Sequence, residues 1–390
     1  MTEPIDSALP DLAFPVEEEA HAPEPAELLA LQFSGSGAEY FRIWIVNLML
    51  SVATLGIYSA WAKTRRLQYF YRNTSLAGAS FDFRGDPRAI LRGRILALVL
   101  VAAYQYAFGF SVAAGAVTVG LLLLALPFLM RSALRFRLAN TWYRGLPFGF
   151  DGGIAKAYLA YLVPVAIFVL PGALFALTRD ARILGAFSLL YLFWPLMHGV
   201  MKRYQHGHLL YGDLHAGFAP SAASLAKPYL FAFLFNLGAI VVFVAVVGVT
   251  AVAGRGAASG TAAGANLASG IALILGTLLL YLCFLFSGLY ILVRMNNRAW
   301  SGTAFPGIAI DCRMRVRGYL RLQVVNVLLT VFTLGLFRPF AAVRTWRYRV
   351  DHVRIDAPGG FEQASVHAGR RPASAAGDGA ADFLGVDLSW

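Results

Sequence analysis

Acidic side chains are missing from every long apolar run of this sequence. A proton-coupled pump needs a carboxylate within the membrane, so that absence argues against one. Cysteine is nearly absent as well. Cys283 lies in an apolar run and Cys312 in a basic loop, which makes neither a disulfide framework nor a metal pair. The first 32 residues hold eight Asp or Glu and no Lys or Arg; a secretory leader needs a basic stretch before its apolar core, so no signal peptide is expected. No catalytic Ser, Cys or Glu stands in a recognisable setting, and Gly35-Ser36-Gly37 lacks the Gly-Lys-Ser/Thr that a phosphate loop requires. The expectation is no enzyme, no cofactor and no metal.

What is present is hydrocarbon: 58% of the residues are hydrophobic and 14% charged, far from the balance of a soluble domain. Six apolar runs, residues 93–111, 114–131, 156–177, 182–201, 228–253 and 268–293, are each about long enough to cross roughly 30 Å of hydrocarbon as a helix. The net charge of +12 gathers just beyond these runs, as in Lys63 to Arg66, Arg131 to Arg137, Lys202-Arg203 and Arg313 to Arg317. Basic flanks of this kind mark the cytoplasmic side. They point to anionic lipid at that face rather than to nucleic acid. The runs pair into three helical hairpins whose outer links, near 109–115, 177–184 and 254–270, carry few positive charges.

Two repeats organise the chain. Tyr40 to Asn47 with Thr54-Leu55-Gly56-Ile57-Tyr58 and Arg65 returns without a gap as Tyr319 to Asn326 with Thr333-Leu334-Gly335-Leu336-Phe337 and Arg344. A shorter motif follows each hairpin: Asn73 to Phe83 matches Asn140 to Phe150 and Asn297 to Phe305, with a weaker copy from Gly207 to His215. Gly78, Gly145 and Gly212 are spaced by 67 residues, and Gly302 is aligned 90 residues later; such regularity argues for duplicated units. Alternating apolar and polar residues around each glycine predict short β hairpins near 73–83, 140–150, 207–215 and 297–305, pairing into a small cytoplasmic sheet.

If residues 40–62 and 319–341 both spanned, the same sequence would face two ways and leave Arg344, Arg347 and Arg349 on the outer face. Re-entrant helical hairpins turning at Thr54-Leu55-Gly56 and Thr333-Leu334-Gly335 avoid that conflict; spanning helices with Asn47 and Asn326 bonded across an interface are the alternative. The expected organisation is a disordered acidic tail over 1–32, a membrane domain over 33–357 and a flexible tail over 358–390, whose apolar end at 382–388 is a candidate for docking.

The stretch Tyr40 to Asn47 with Thr54 to Lys63, Arg65-Arg66 and Asn73-Thr74 resembles the YjgN-like family of bacterial inner-membrane proteins. Arg135-Phe136-Arg137 with Asn140-Thr141 and the terminal Asp382 to Leu388 extend the resemblance. It implies location and architecture, and brings no activity, cofactor or catalytic residue. Arg338-Pro339-Phe340 departs from Ser59-Ala60-Trp61, which puts a shared role of the two copies in doubt.

Candidate sites are few. His198, His206, His208 and His215 cluster, with His206 and His208 expected on one strand face, yet only Asp213 is near as a further ligand and an interfacial patch is the reading. Pro127 and Pro195 are expected to kink two helices, with Arg131 and His198 one turn beyond as a candidate inner vestibule. Asn47, Thr54, Gly56, Asn326, Thr333 and Gly335 form a candidate pathway. Two functions stay open: a passive transporter or channel for a small solute, or a scaffold binding anionic lipid or a cytosolic partner.

Overall fold

The computed structural model of the chain describes residues 28–256, 262–358 and 361. Its helices come in consecutive hairpins. The first is α1 (Gly37–Ala53) with α2 (Ser59–Arg72). Next come α3 (Pro87–Phe110) with α4 (Val112–Ala139), broken at Ser111, whose hydroxyl caps α4 by accepting from the Ala114 N–H. In the third, α5 (Ile154–Thr178) returns through α6 (Arg182–Leu190), a 3-10 turn over Tyr191–Phe193 and α7 (Trp194–His206). The set ends with α8 (Ala222–Gly256) and α9 (Ala262–Ser301), then α10 (Val316–Phe332) and α11 (Arg338–Val350). Among the described residues six helical spans are long and apolar enough to cross a membrane: α3, α4, α5, α6 to α7, α8 and α9. The helices of the first and last hairpins, at 17 and 14 and at 17 and 13 residues, reach only about 20 to 25 Å.

Each helix packs chiefly on its neighbours in the chain, α2 on α3, α4 on α5, α7 on α8 and α9 on α10, and α11 packs on α1. The order is therefore cyclic. Small residues allow the close seams, as in membrane packing generally. At Gly199 of α7 an added Cβ would stand 2.8 Å from the Ala222 carbonyl oxygen, so only glycine permits that approach.

The segments between helical hairpins are strands, all paired antiparallel. β1 (Leu28–Ala30) and β2 (Gln32–Phe33) precede α1. β3 (Thr74–Leu76) with β4 (Ala79–Phe83), β5 (Thr141–Tyr143) with β6 (Leu146–Phe150), and β7 (Leu209–Tyr211) with β8 (Leu214–His215) are hairpins turning at Gly78, Gly145 and Gly212, at φ 76°, 77° and 57°. β9 (Gly217–Phe218), β10 (Thr303–Phe305), β11 (Ile308–Cys312) and β12 (Val353–Asp356) complete the set. Seven strands run in the order β2-β3-β4-β5-β6-β7-β8 and five in the order β1-β12-β11-β10-β9. Since β8 leads directly into β9, and β1 into β2, the chain joins the two sheets at both ends. The strands form a closed circuit under the helices.

Several expectations change. Residues 28–33 are strand rather than the end of a disordered tail; residues 1–27 lie outside the described residues, as does the 358–390 tail apart from Pro358 and Phe361, including the apolar end at 382–388. The fourth β hairpin turns at Gly307, φ 73°, not at Gly302, because α9 continues to Ser301. Asn297 is helical, bonded to Met314 through Nδ2 to the carbonyl at 2.8 Å and from the Met314 N–H to Oδ1 at 3.0 Å. The run at 182–201 is interrupted at the 3-10 turn, with Pro195 opening α7, whereas Pro127 sits inside unbroken α4. His206 ends α7 before the strand starts at Leu209, so His206 and His208 do not share a strand face.

Candidate site: an apolar compartment inside the strand circuit

Three helices hand over to their strands through the same bond. The hydroxyls of Thr74, Thr141 and Thr303 donate to the carbonyls of Phe70, Arg137 and Ala299, four residues back, at 2.7, 2.9 and 2.7 Å. At the other two junctions a histidine stands in, His208 Nδ1 meeting the Tyr204 carbonyl at 3.0 Å and His352 Nδ1 that of Tyr348 at 2.7 Å. Asn73 and Asn140 cap their helices likewise, Nδ2 donating to Tyr69 and Phe136 at 2.8 and 2.7 Å. Capping of the last carbonyls lets the chain leave the helix without orphaned acceptors. Adjacent hairpins are then tied by phenols: Tyr143 donates to the Leu76 carbonyl at 2.8 Å and Tyr211 to that of Tyr143 at 3.4 Å.

The rings of these hairpins turn inward. Phe81 stacks on Tyr143 at 4.7 Å, Phe148 lies tilted against Tyr211 at 5.0 Å, and Phe361 meets Tyr143 edge-on at 5.2 Å. Together with the ends of α2, α4, α9 and α11 they line a half-open cavity of about 240 Å³. Its walls are Leu, Ile, Val, Met, Phe, Tyr and Trp side chains with Thr74, Thr141, Asn296 and Cys312; Arg349 is the one charged lining residue among those described. Trp346 Nε1 donates to Thr74 Oγ1 at 3.0 Å, which locks α11 to the first β hairpin. Burial, with Tyr143 alongside, pushes the Tyr211 phenol up to about 12, and burial pushes the Cys312 thiol up to about 11. Both stay protonated at neutral pH, so the compartment offers aromatic and aliphatic surface, neutral donors and one guanidinium. It suits hydrocarbon. Among the described residues no three His, Cys, Asp or Glu converge as metal ligands.

The residues singled out in the sequence lie elsewhere. Asn47 and Asn326 are buried, and Asn326 Nδ2 donates to Thr345 Oγ1 at 3.2 Å across its own turn. Thr54 and Thr333 build two turns alike: each hydroxyl donates to the carbonyl four residues back, Leu50 at 2.8 Å and Leu329 at 2.7 Å, and accepts an N–H four residues on, from Tyr58 and Phe337, at 2.9 Å. Gly56 and Gly335 close these turns at φ 90° and 93°. The two hairpins stand side by side, Phe41 stacked on Phe340 at 5.6 Å. None of the six residues lines the cavity. Arg131 Nε donates to the Gly152 carbonyl at 2.6 Å, while His198 Nδ1 meets the Tyr229 hydroxyl at 2.6 Å on another helix pair. His215 pairs with Asp151 at 2.9 Å and His206 bonds to Thr303 Oγ1 at 3.0 Å. Tyr143, Tyr211, Trp346 and Arg349 were missed. The recurring Thr at the start of three strands, with a large apolar or aromatic residue two positions on at Leu76, Tyr143 and Phe305, was the available signal.

Six membrane-length helices standing on a strand circuit that lines an apolar cavity define a polytopic helical membrane protein with a hydrophobic pocket. Residues 28–383 match the family described as "Bacterial protein of unknown function (DUF898)", and the chain belongs to that family. It is similar to Inner membrane protein YjgN of Salmonella typhimurium LT2, 29% identical over 146 residues, 36% of each chain. It is also similar to Inner membrane protein YjgN of Escherichia coli K12, 29% identical over 150 residues, 37% of this chain and 36% of that one. The matched part thus spans little more than a third of these relatives' length. No solved structure matches.

Proposed function

We propose that this is a bacterial inner-membrane protein that binds lipid-derived apolar molecules in the strand-circuit cavity and offers no aqueous path for polar solutes. The observation carrying this reading is the cavity wall, apolar and aromatic almost throughout. The helical wall supports it. Val242 and Val244 of α8, and Leu282 and Phe284 of α9, point to opposite sides of their helices yet are all exposed. Helices apolar on both sides suit lipid on both sides. A channel needs polar groups facing a common space, whereas Asn47 and Asn326 are both buried. The location follows the names of the relatives, and the basic flanks favour the strand circuit on the cytoplasmic side with anionic lipid against it.

Native mass spectrometry and solute release from proteoliposomes test the reading. The purified protein should carry an apolar small molecule that is lost when Leu76→Trp fills the cavity, and vesicles should release no more polar dye than empty controls. Dye release that disappears in Asn47→Ala and Asn326→Ala would establish the transport reading instead.

The two short hairpins are read as re-entrant from the cytoplasmic side. Leu55 and Leu334 at their tips are 96% and 95% exposed, the arrangement expected of side chains resting in lipid. With Cys283 and Cys312 replaced, cysteines at Leu55 and Leu334 should resist an impermeant maleimide from either face. One at Ala77 should react only after permeabilisation, and one at Arg179 in intact cells. Tip labelling from outside would make those segments true crossings.

A further inference from the structure

Most polar groups of the cavity wall are already engaged within the protein. The hydroxyls of Thr74 and Thr141 donate to helix carbonyls, those of Tyr143 and Tyr211 to strand carbonyls, and the Cys312 thiol to Asn297 Oδ1. Trp346 Nε1 donates to Thr74, and the Arg349 guanidinium to the Tyr319 hydroxyl at 3.4 Å. Two lining groups differ: among the described residues the Tyr71 hydroxyl and the Asn296 side-chain amide form no hydrogen bond. Tyr71, the penultimate residue of α2, is only 8% exposed, its ring placed against Phe83 and Trp346. Asn296 stands in the last turns of α9. A buried donor left without a partner is destabilising, and a ligand that brings an acceptor relieves it. We propose that the cavity takes the ring of a lipid-soluble quinone, a neutral molecule whose carbonyl oxygens accept from Tyr71 and Asn296 while its faces lie against the aromatic wall.

The proposal rests on the apolar-ligand reading above and narrows it. Nine of the 24 lining residues are aromatic. A planar ring gains from stacking on such walls beyond the area it buries, an advantage that an alkyl chain lacks. Charge on the ligand is disfavoured, since a cation would meet the Arg349 guanidinium and an anion would find no unengaged cation in the wall. Size agrees. About 240 Å³ lies below the roughly 300–1,000 Å³ of pockets that hold drug-sized molecules, so a ring is taken up and an attached prenyl chain leaves through the open side.

The full chain, stripped of lipid and held in a neutral detergent, is titrated calorimetrically with duroquinone, whose ring carbons are all substituted so that no thiol adds. Durene, the same methylated ring without carbonyls, is the second probe. The quinone should bind saturably and durene about tenfold more weakly. Tyr71→Phe and Asn296→Leu should each weaken the quinone about fivefold and leave durene unchanged. Leu76→Trp should abolish both, with Ile308→Phe as a second filling variant should the first not fold. Equal affinity for the two probes, or a quinone affinity indifferent to Tyr71→Phe or to Asn296→Leu, overturns the proposal while leaving the apolar compartment standing. Binding of a fatty-acid methyl ester in place of either ring does the same. Failure of all three probes removes the compartment reading itself. Solvent extracts of the purified protein give an independent check: a prenylated quinone supports the proposal, and a stoichiometric lipid without such a ring overturns it.

Discussion

Leu55 and Leu334 occupy left-handed backbone at φ 50°, each followed by a glycine near φ 90°. A side chain in that region costs about 1–2 kcal/mol, so the turn already carries strain at one position and relies on glycine at the next. Gly56 and Gly335 have nothing within 4 Å of an added Cβ, which leaves backbone conformation as the sole penalty. Gly56→Ala and Gly335→Ala should each lower stability by about 1–2 kcal/mol, read as a fall in thermal midpoint in detergent; unchanged midpoints would mean the turns relax freely. Cys312 gives a pH prediction. Its thiol, raised by burial from 9.0 to about 11, stays protonated in the fold while an unfolded chain would ionise it near 9. The folded state binds more protons in that interval, so the contribution is intact below pH 9 and lost as pH rises toward 11, by about 2–3 kcal/mol. Cys312→Ser should flatten that decline relative to wild type, and identical alkaline profiles would contradict the assignment.

The terminal hairpins are the elements on which sequence reasoning reached furthest. Identical spacing of Tyr40, Asn47, Thr54 and Gly56 with Tyr319, Asn326, Thr333 and Gly335 located both turns, because a Thr-Leu-Gly reversal is local chemistry. The fourth β hairpin was misplaced for a reason equally local: Gly302 is five residues before the turn glycine, as Asn73 is before Gly78, and aligning one glycine with another hid that Gly302 occupies the capping position. The 3-10 break at Tyr191–Phe193 left no signal, since an uninterrupted apolar run reads as a continuous helix. If the tips rest in lipid, Leu55→Lys with Leu334→Lys should destabilise the protein in lipid nanodiscs by about 1–3 kcal/mol per site, while Ala77→Lys at an exposed β turn leaves it unchanged. Equal effects at the three positions would put the tips in water.

At the scale of the molecule, the strand circuit and its cavity were illegible because they depend on pairing distant in sequence. Ala30 lies opposite Arg354, and Trp346 reaches Thr74. Composition announces a membrane protein but not which strand closes on which. Deleting residues 28–33 would remove β1 and β2 and bare the edges of β12 and β3, and unpaired edges are templates for aberrant pairing. Limited proteolysis should then cut at the β hairpins of the shortened protein and spare the full one. The same closure also imposes a timetable. The strands that begin and complete the circuit are separated by roughly 320 residues of synthesis, at about 5–20 residues per second. For tens of seconds each nascent copy has its helices in the bilayer and its lower storey ajar. A chain released before residues 353–356 are made lacks β12, the strand that pairs with both β1 and β11, and leaves those two edges uncovered where the finished chain covers them.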